Sequence, residues 1–272
     1  MLYFEEIRLN TWQETKQFFD NLLTDNQKWV FRGHYKASWK LQPSLERIVS
    51  RQPLVIETEA KIITEFQRRA HQYLQSSEIP SSLLEWISLM QHHGAPTRLL
   101  DWTRSPYVAS FIAFENAYKE RGEIAIWVLD AYWLINASLD KIKKTNIELN
   151  IKQIQNDSEF IRFIYSDSRV VIPIEPKLMN ERLTIQQGIF LIASGKKLSF
   201  EKNIMEYVEY ESHSHIKKII VPKSEGVPCL TELNRMNINA ATLFPGLDGF
   251  ARSLRTIPDI TYANFCGEND IF

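Results

Sequence analysis

The stretch Gln91-His92-His93-Gly94-Ala95-Pro96-Thr97-Arg98-Leu99-Leu100-Asp101-Trp102-Thr103-Arg104-Ser105-Pro106 decides how this chain is read. Just upstream, Leu83–His92 carries Leu83, Trp86, Ile87 and Met90 on one helical face, opened by Pro80 and the Ser81-Ser82 pair. Gly94-Ala95-Pro96 stops that helix, and Thr97–Thr103 reads as a buried extended segment. Ser105-Pro106 then starts another helix: the serine hydroxyl caps free backbone N–H groups, and proline is preset for the first helical position. That helix runs to about Lys119, and its expected buried face is Val108, Phe111, Ile112 and Phe114. Helix, strand and helix in direct succession predict a sheet covered by helices.

Working outward, Trp12–Leu23 and Glu57–Gln75 read as amphipathic helices, the second with Ile62, Phe66, Ala70 and Tyr73 on one face. Lys28–Gly33, Glu123–Leu129, Arg169–Ile174, Ile185–Ala193 and Ile216–Val221 read as strands. Pro228–Met236 and Leu247–Arg255 read as helices, with Ala241–Phe244 an extended segment between them. Ala131–Ser168 is poorly patterned, a candidate insertion or lid. The pattern predicts one α+β domain over residues 1–272, a mixed sheet with helices concentrated in the N-terminal half and no regular βαβ alternation.

Composition narrows the function classes. The chain has 272 residues, with 32 Lys plus Arg against 33 Asp plus Glu and a formal charge of −1. A nonspecific polyanion binder relies on a strong basic excess, which is absent. No apolar run approaches the ~20 residues that cross a bilayer, and MLYFEEIRLN carries acids where a secretory signal carries bases. Cys229 and Cys266 form no metal-ligand cluster, so the expectation is a reduced, cytoplasmic protein without a metal site. Nine glycines are about half the usual ~7 % share. None is arranged as G-x-G-x-x-G, G-x-x-x-x-G-K-[ST] or G-x-S-x-G, and H-E-x-x-H is absent.

Three stretches can carry chemistry. In Phe31-Arg32-Gly33-His34, a guanidinium at a strand end can fork onto a phosphate or carboxylate, while Gly33 permits close backbone approach of a ligand. Arg32 could equally pair with an internal acid. In the central stretch, His92, His93, Arg98, Asp101, Trp102, Thr103 and Ser105 cluster at element junctions, where rigid elements aim side chains. The bland readings are a helix-end role for the histidines, an Arg98–Asp101 ion pair and a core position for Trp102. In Gln186-Gln187-Gly188, two amides before a strand can bond a ligand's ribose or amide, or simply hold a loop. His213 and His215 read as a polar turn.

These residues resemble the FRG domain family. The resemblance rests on Phe31-Arg32-Gly33 with Trp39 and Pro43-Ser44-Leu45, and on Gln91-His92-His93-Gly94 through Pro96–Thr103 to Ser105-Pro106. Arg182 with Gln186-Gln187-Gly188-Ile189-Phe190 and Leu243-Phe244-Pro245-Gly246-Leu247 extend it over roughly residues 28–255. It implies a bacterial or phage protein of a toxin or defence system. A further resemblance is to arginine-type ADP-ribosyltransferases, which use an Arg on an early strand, a Ser-Thr-Ser strand before a helix, and a Glu on a later strand. Arg32 and Thr103-Arg104-Ser105 match the first two elements, and the strand at Gln186-Gln187 falls at the third. Gln supplies no charge there, which implies weakened transfer, an acid recruited from elsewhere such as Asp101 or Glu175, or a fold kept only for binding.

The leading expectation is therefore an ADP-ribosyltransferase-like domain that binds NAD or a related nucleotide and acts on a macromolecular acceptor. Arg32 would hold a phosphate, Thr103 and Ser105 would support the nicotinamide ribose, Trp102 or a histidine would wall the pocket, and Gly33, Arg98 and Gln186 complete the expected substrate-binding set. His92, His93, Asp101 and Gln187 are the candidate catalytic groups. The alternatives are a metal-independent nuclease, with arginines on phosphate and a histidine moving the proton, and a non-enzymatic sensor in which the same residues form an internal polar network.

Overall fold

The computed structural model describes residues 2–24, 27–49, 55–145, 148–195 and 199–256. Seven strands form one sheet: β1 (Glu5–Arg8), β2 (Trp29–His34), β3 (Leu100–Thr103), β4 (Glu123–Asp130), β5 (Val171–Ile174), β6 (Gly188–Ala193) and β7 (Ile216–Pro222). They lie in the order β1-β7-β4-β2-β3-β6-β5. The β1–β7 pair is parallel and the other neighbours are antiparallel.

Helices are spread through the described residues. They are α1 (Trp12–Leu23), α2 (Ser44–Val49), α3 (Val55–Ala70), α4 (Leu83–His92), α5 (Pro106–Phe114), α6 (Ala131–Lys143) and α7 (Asp157–Tyr165) in the first part. Then follow α8 (Glu181–Ile185), α9 (Phe200–Met205), α10 (Ser212–His215), α11 (Gly226–Arg235), α12 (Ala240–Leu243) and α13 (Leu247–Ser253). None among the described residues is long and apolar enough to cross a membrane.

Strand alternation sorts the core into layers, because successive side chains leave opposite faces. Ile124, Ile126 and Val128 of β4, with Trp29 and Phe31 of β2, pack with α1, α5 and α11. Trp127 and Leu129, with Val30, pack on the other side with Leu134 of α6 and Phe200 of α9. In β6, Ile189 and Leu191 join that second layer, while Phe190 and Ile192 pack with α4 and α7. Between the first and third layers, on the same face of the sheet, β3 presents Asp101, which is exposed. The site opens there.

The α+β class holds, with several differences in placement. Helices are not concentrated in the N-terminal half. Ala131–Ser168 contains α6 and α7, whose Leu134, Phe160 and Phe163 are fully buried, so this stretch is built into two core layers rather than laid over them as a lid. In α7 the buried Phe160, Phe163 and Ile164 fall on one helical face, a periodicity that the sequence reading of this stretch passed over. Ala240–Leu243 is a short helix rather than an extended segment, closed by a reciprocal Asn239–Thr242 capping box. The expected strand Ile185–Ala193 starts only at Gly188, since Glu181–Ile185 is helical with Asn180 as its N-cap. Helix α3 ends at Ala70. The edge strand β1 was not expected. Ser105 and Pro106 do start α5, with Ser105 Oγ accepting from the Val108 N–H.

Candidate functional site

On one side, β2 pairs with β4 from Trp29–Asp130 through to His34–Ala125. On the other, it shares a single register pair with β3, Phe31 with Thr103. Beyond that pair the two strands part. Arg32 spans the gap: its Nη1 donates to the Asp101 carbonyl of β3. Arg32 Nε donates to His34 Nε2 at 3.1 Å. His34 can accept because burial, then the neighbouring Arg32 charge, push its pKa down to about 3, so the ring is neutral with its proton on Nδ1. Burial also lowers the Arg32 pKa, opposed by Asp101.

Gly33 has a different task from the one expected. A Cβ there would sit 2.1 Å from the Ala109 carbonyl oxygen and 2.8 Å from the Ala113 nitrogen. Its missing side chain lets α5 lie directly on β2; the close approach is to a helix, not a ligand.

The far wall of the gap comes from the C-terminal half. A cleft of about 220 Å³ is enclosed by the parted strands, Ile112 of α5, Arg182 and Gln186 of the α8 turn, and Phe244 and Arg252 around α12 and α13. Two guanidinium groups lie on the Phe244 ring, Arg182 Cζ at 4.7 Å and Arg252 Cζ at 4.0 Å from its centroid. Gly249 makes this crossing feasible, since a Cβ there would meet the Phe244 carbonyl oxygen at 1.6 Å. Arg252 is neutralised by a bidentate ion pair to buried Glu115. Arg182, half-buried, makes no hydrogen bond or ion pair among the described residues. Burial lowers its pKa, opposed by Asp101 and reinforced by Arg252.

Asp101 and His92 face this guanidinium from the other rim. Asp101 Oδ2 accepts from Gln91 Nε2 at 2.7 Å, and Gln91 Oε1 accepts from the Thr97 hydroxyl. This relay fixes the carboxylate while leaving its second oxygen without a hydrogen bond among the described residues. His92 shares a small recess with Asp101, Arg182 and Gln186. Burial lowers its pKa, with His93 and Arg182 adding to the effect, so the ring is biased to its neutral form. His93, edge-on to His92 with centroids 4.8 Å apart, instead lines an apolar groove between α3 and α4.

The structure thus brings Arg32, Asp101, His92 and Gln186 together and sends other expected site residues elsewhere. Arg98 is fully buried in a bidentate ion pair with Glu59 of α3, out of reach of a ligand and not paired with Asp101. Trp102 touches the cleft but is 3 % exposed and belongs to the second core layer. The Thr103 hydroxyl donates to the Gln186 carbonyl at 2.6 Å and accepts from the Ser105 N–H, and Ser105 caps α5. Both hydroxyls build the frame. Gln186 Nε2 donates to the Leu243 carbonyl, docking α12 on the cleft. Gln187 is not on a strand: it is an exposed left-handed residue (φ 48°) whose carbonyl accepts from the Arg104 N–H. Glu175 is held bidentately by Arg104, away from the cleft.

Sequence reasoning had not assigned site roles to Gln91, Arg182, Phe244, Arg252 or Glu115. The first three lie within quoted motifs. Arg252 and Glu115 carry no local signal; only the fold joins them. Among the described residues, no group of three His, Cys, Asp or Glu side chains comes together to hold a metal.

The family model of the FRG domain matches residues 27–122. No curated protein matches the chain, and no solved structure does.

Proposed function

The chain carries an FRG domain at residues 27–122, and from that premise we propose that its cleft binds NAD or a related phosphate-bearing nucleotide and supports ADP-ribosyl transfer. One observation carries this reading: the Arg182 guanidinium is half-buried at the cleft with no hydrogen-bond partner among the described residues. A desolvated guanidinium is a forked donor that suits a phosphate. The Phe244 ring beside it offers a face on which a base or nicotinamide can stack.

Asp101 supplies the charge that neutral Gln187 does not. In the transfer, the bond from ribose C1′ to the nicotinamide nitrogen breaks and its electron pair leaves with nicotinamide. The cation developing at C1′ is stabilised by the Asp101 carboxylate. An acceptor nucleophile bonds to C1′ and gives its proton to neutral His92. Such a protein would act in the cytoplasm on a macromolecular acceptor, as a bacterial or phage toxin or defence protein does.

The test is incubation of the full chain with NAD and a bacterial lysate, following nicotinamide by NMR. Wild type releases nicotinamide. Asp101→Asn still gains thermal stability from NAD but releases little, and Arg182→Ala loses both. No release together with no NAD-dependent melting shift overturns the reading.

A further inference from the structure

A second cavity, of about 600 Å³, opens at the other end of β2 from the cationic cleft. Where the cleft uses Phe31–Gly33, this one uses Lys28–Val30, together with the start of α6, the end of β5 and Arg104. Its lining includes Val30, Ile135, Ile154, Ile174 and Ile189, an apolar surface large enough for a small molecule. Lys28 and Lys152 stand exposed at it, without an ion-pair partner among the described residues.

The charge of the lining is one-sided. Lys28, Arg104 and Lys152 are cationic and Glu175 alone is anionic, and Glu175 is consumed by Arg104. This leaves two lysines to answer an anionic head above an apolar body. The α3–α4 groove differs, since its basic Lys61 and Arg69 are accompanied by Glu65, which pairs with Arg69.

We propose that this second cavity binds a small apolar acid, its hydrocarbon or aromatic body on the isoleucine surface and its single negative charge between Lys28 and Lys152. The site is separate from the cleft and does not depend on the nucleotide reading.

Anilinonaphthalenesulfonate, an apolar body with one charge, is the probe, and its uncharged relative N-phenylnaphthylamine is the control. The expected result is saturable one-site fluorescence enhancement with the full chain, displaced by decanoate. Lys28→Glu combined with Lys152→Glu weakens the sulfonate by about 10-fold or more and leaves the neutral probe unchanged. Ile135→Trp fills the cavity and removes both, whereas Leu89→Arg, which obstructs the α3–α4 groove, removes neither. Melting curves accompany each variant, and the exposed lysine pair carries the test if Ile135→Trp does not fold. Absence of saturable binding overturns the proposal, as does loss in Leu89→Arg or indifference to the lysine reversals.

Discussion

Arg32 Nη1 donates to the backbone carbonyl of Asp101 at the point where β2 and β3 separate. The arginine takes the place of a strand neighbour for that carbonyl where the sheet opens at its middle. It also means that Arg32 is first a structural tie. The residue left free to meet a ligand is Arg182, on the opposite wall.

Arg182→Ala should therefore weaken NAD or ADP-ribose binding by about 10-fold or more, the value of a charge-assisted hydrogen bond to phosphate. The accompanying stability loss should stay near 0.5–1 kcal/mol, for the packing on Phe244. Calorimetric titration and a melting curve on the same sample check both halves; Arg182→Lys should keep part of the binding.

Arg98→Ala should behave in the opposite way. Removing it strands the Glu59 carboxylate in the core, at a cost of about 3–5 kcal/mol in urea unfolding. Glu59→Leu introduced together with Arg98→Met should recover much of that loss. A double variant no more stable than Arg98→Ala would show that the pair is not the reason.

Gly33→Ala should be among the most damaging single-methyl additions in the chain. Its Cβ would overlap the Ala109 carbonyl at 2.1 Å, and the obstacle is backbone that cannot rotate away. The expected loss is about 2–3 kcal/mol, read as a lowered melting temperature. Widening of the cleft should accompany it, seen as weaker nucleotide binding in whatever fraction remains folded.

His34 gives a pH dependence. Its folded pKa, about 3, lies below the ordinary 6.5, so the unfolded chain takes up the proton first as pH falls. The neutral ring's contribution is complete above about pH 6.5 and declines toward pH 3, by roughly 5 kcal/mol in all. His34→Gln, which keeps an acceptor for Arg32, should flatten the stability–pH slope across that window relative to wild type. Equal slopes in the two proteins would contradict the assignment.

What could be read from the sequence is what local chemistry decides. Ser105-Pro106 starts α5 because a cap and a fixed φ act within three residues, and β4 shows itself as a short continuous apolar run, the mark of a strand buried on both faces. Strand β1 was invisible because Glu5-Glu6-Ile7-Arg8 is mostly polar and is made a strand by β7, more than 200 positions away. Gln187 was misplaced because the end of α8 forces it left-handed just before the strand begins. For the arginines, local sequence says nothing of fate. Arg98 and Arg182 each sit in a dense motif, and one finds Glu59 in the core while the other lies on the Phe244 ring with no hydrogen bond or ion pair among the described residues. That distinction belongs to tertiary structure.

The FRG-domain match ends at residue 122, and the cleft does not. Arg32, Gln91, His92 and Asp101 lie inside the matched segment, whereas Arg182, Phe244 and Arg252 are supplied by chain beyond it. One half is a fixed floor with its acid already positioned, and the other is a separately encoded ceiling that brings the unspent cation. On the proposed reading, likeness confined to the matched segment fixes the floor alone, and the cation that would meet a phosphate has to be sought in the second half of the chain.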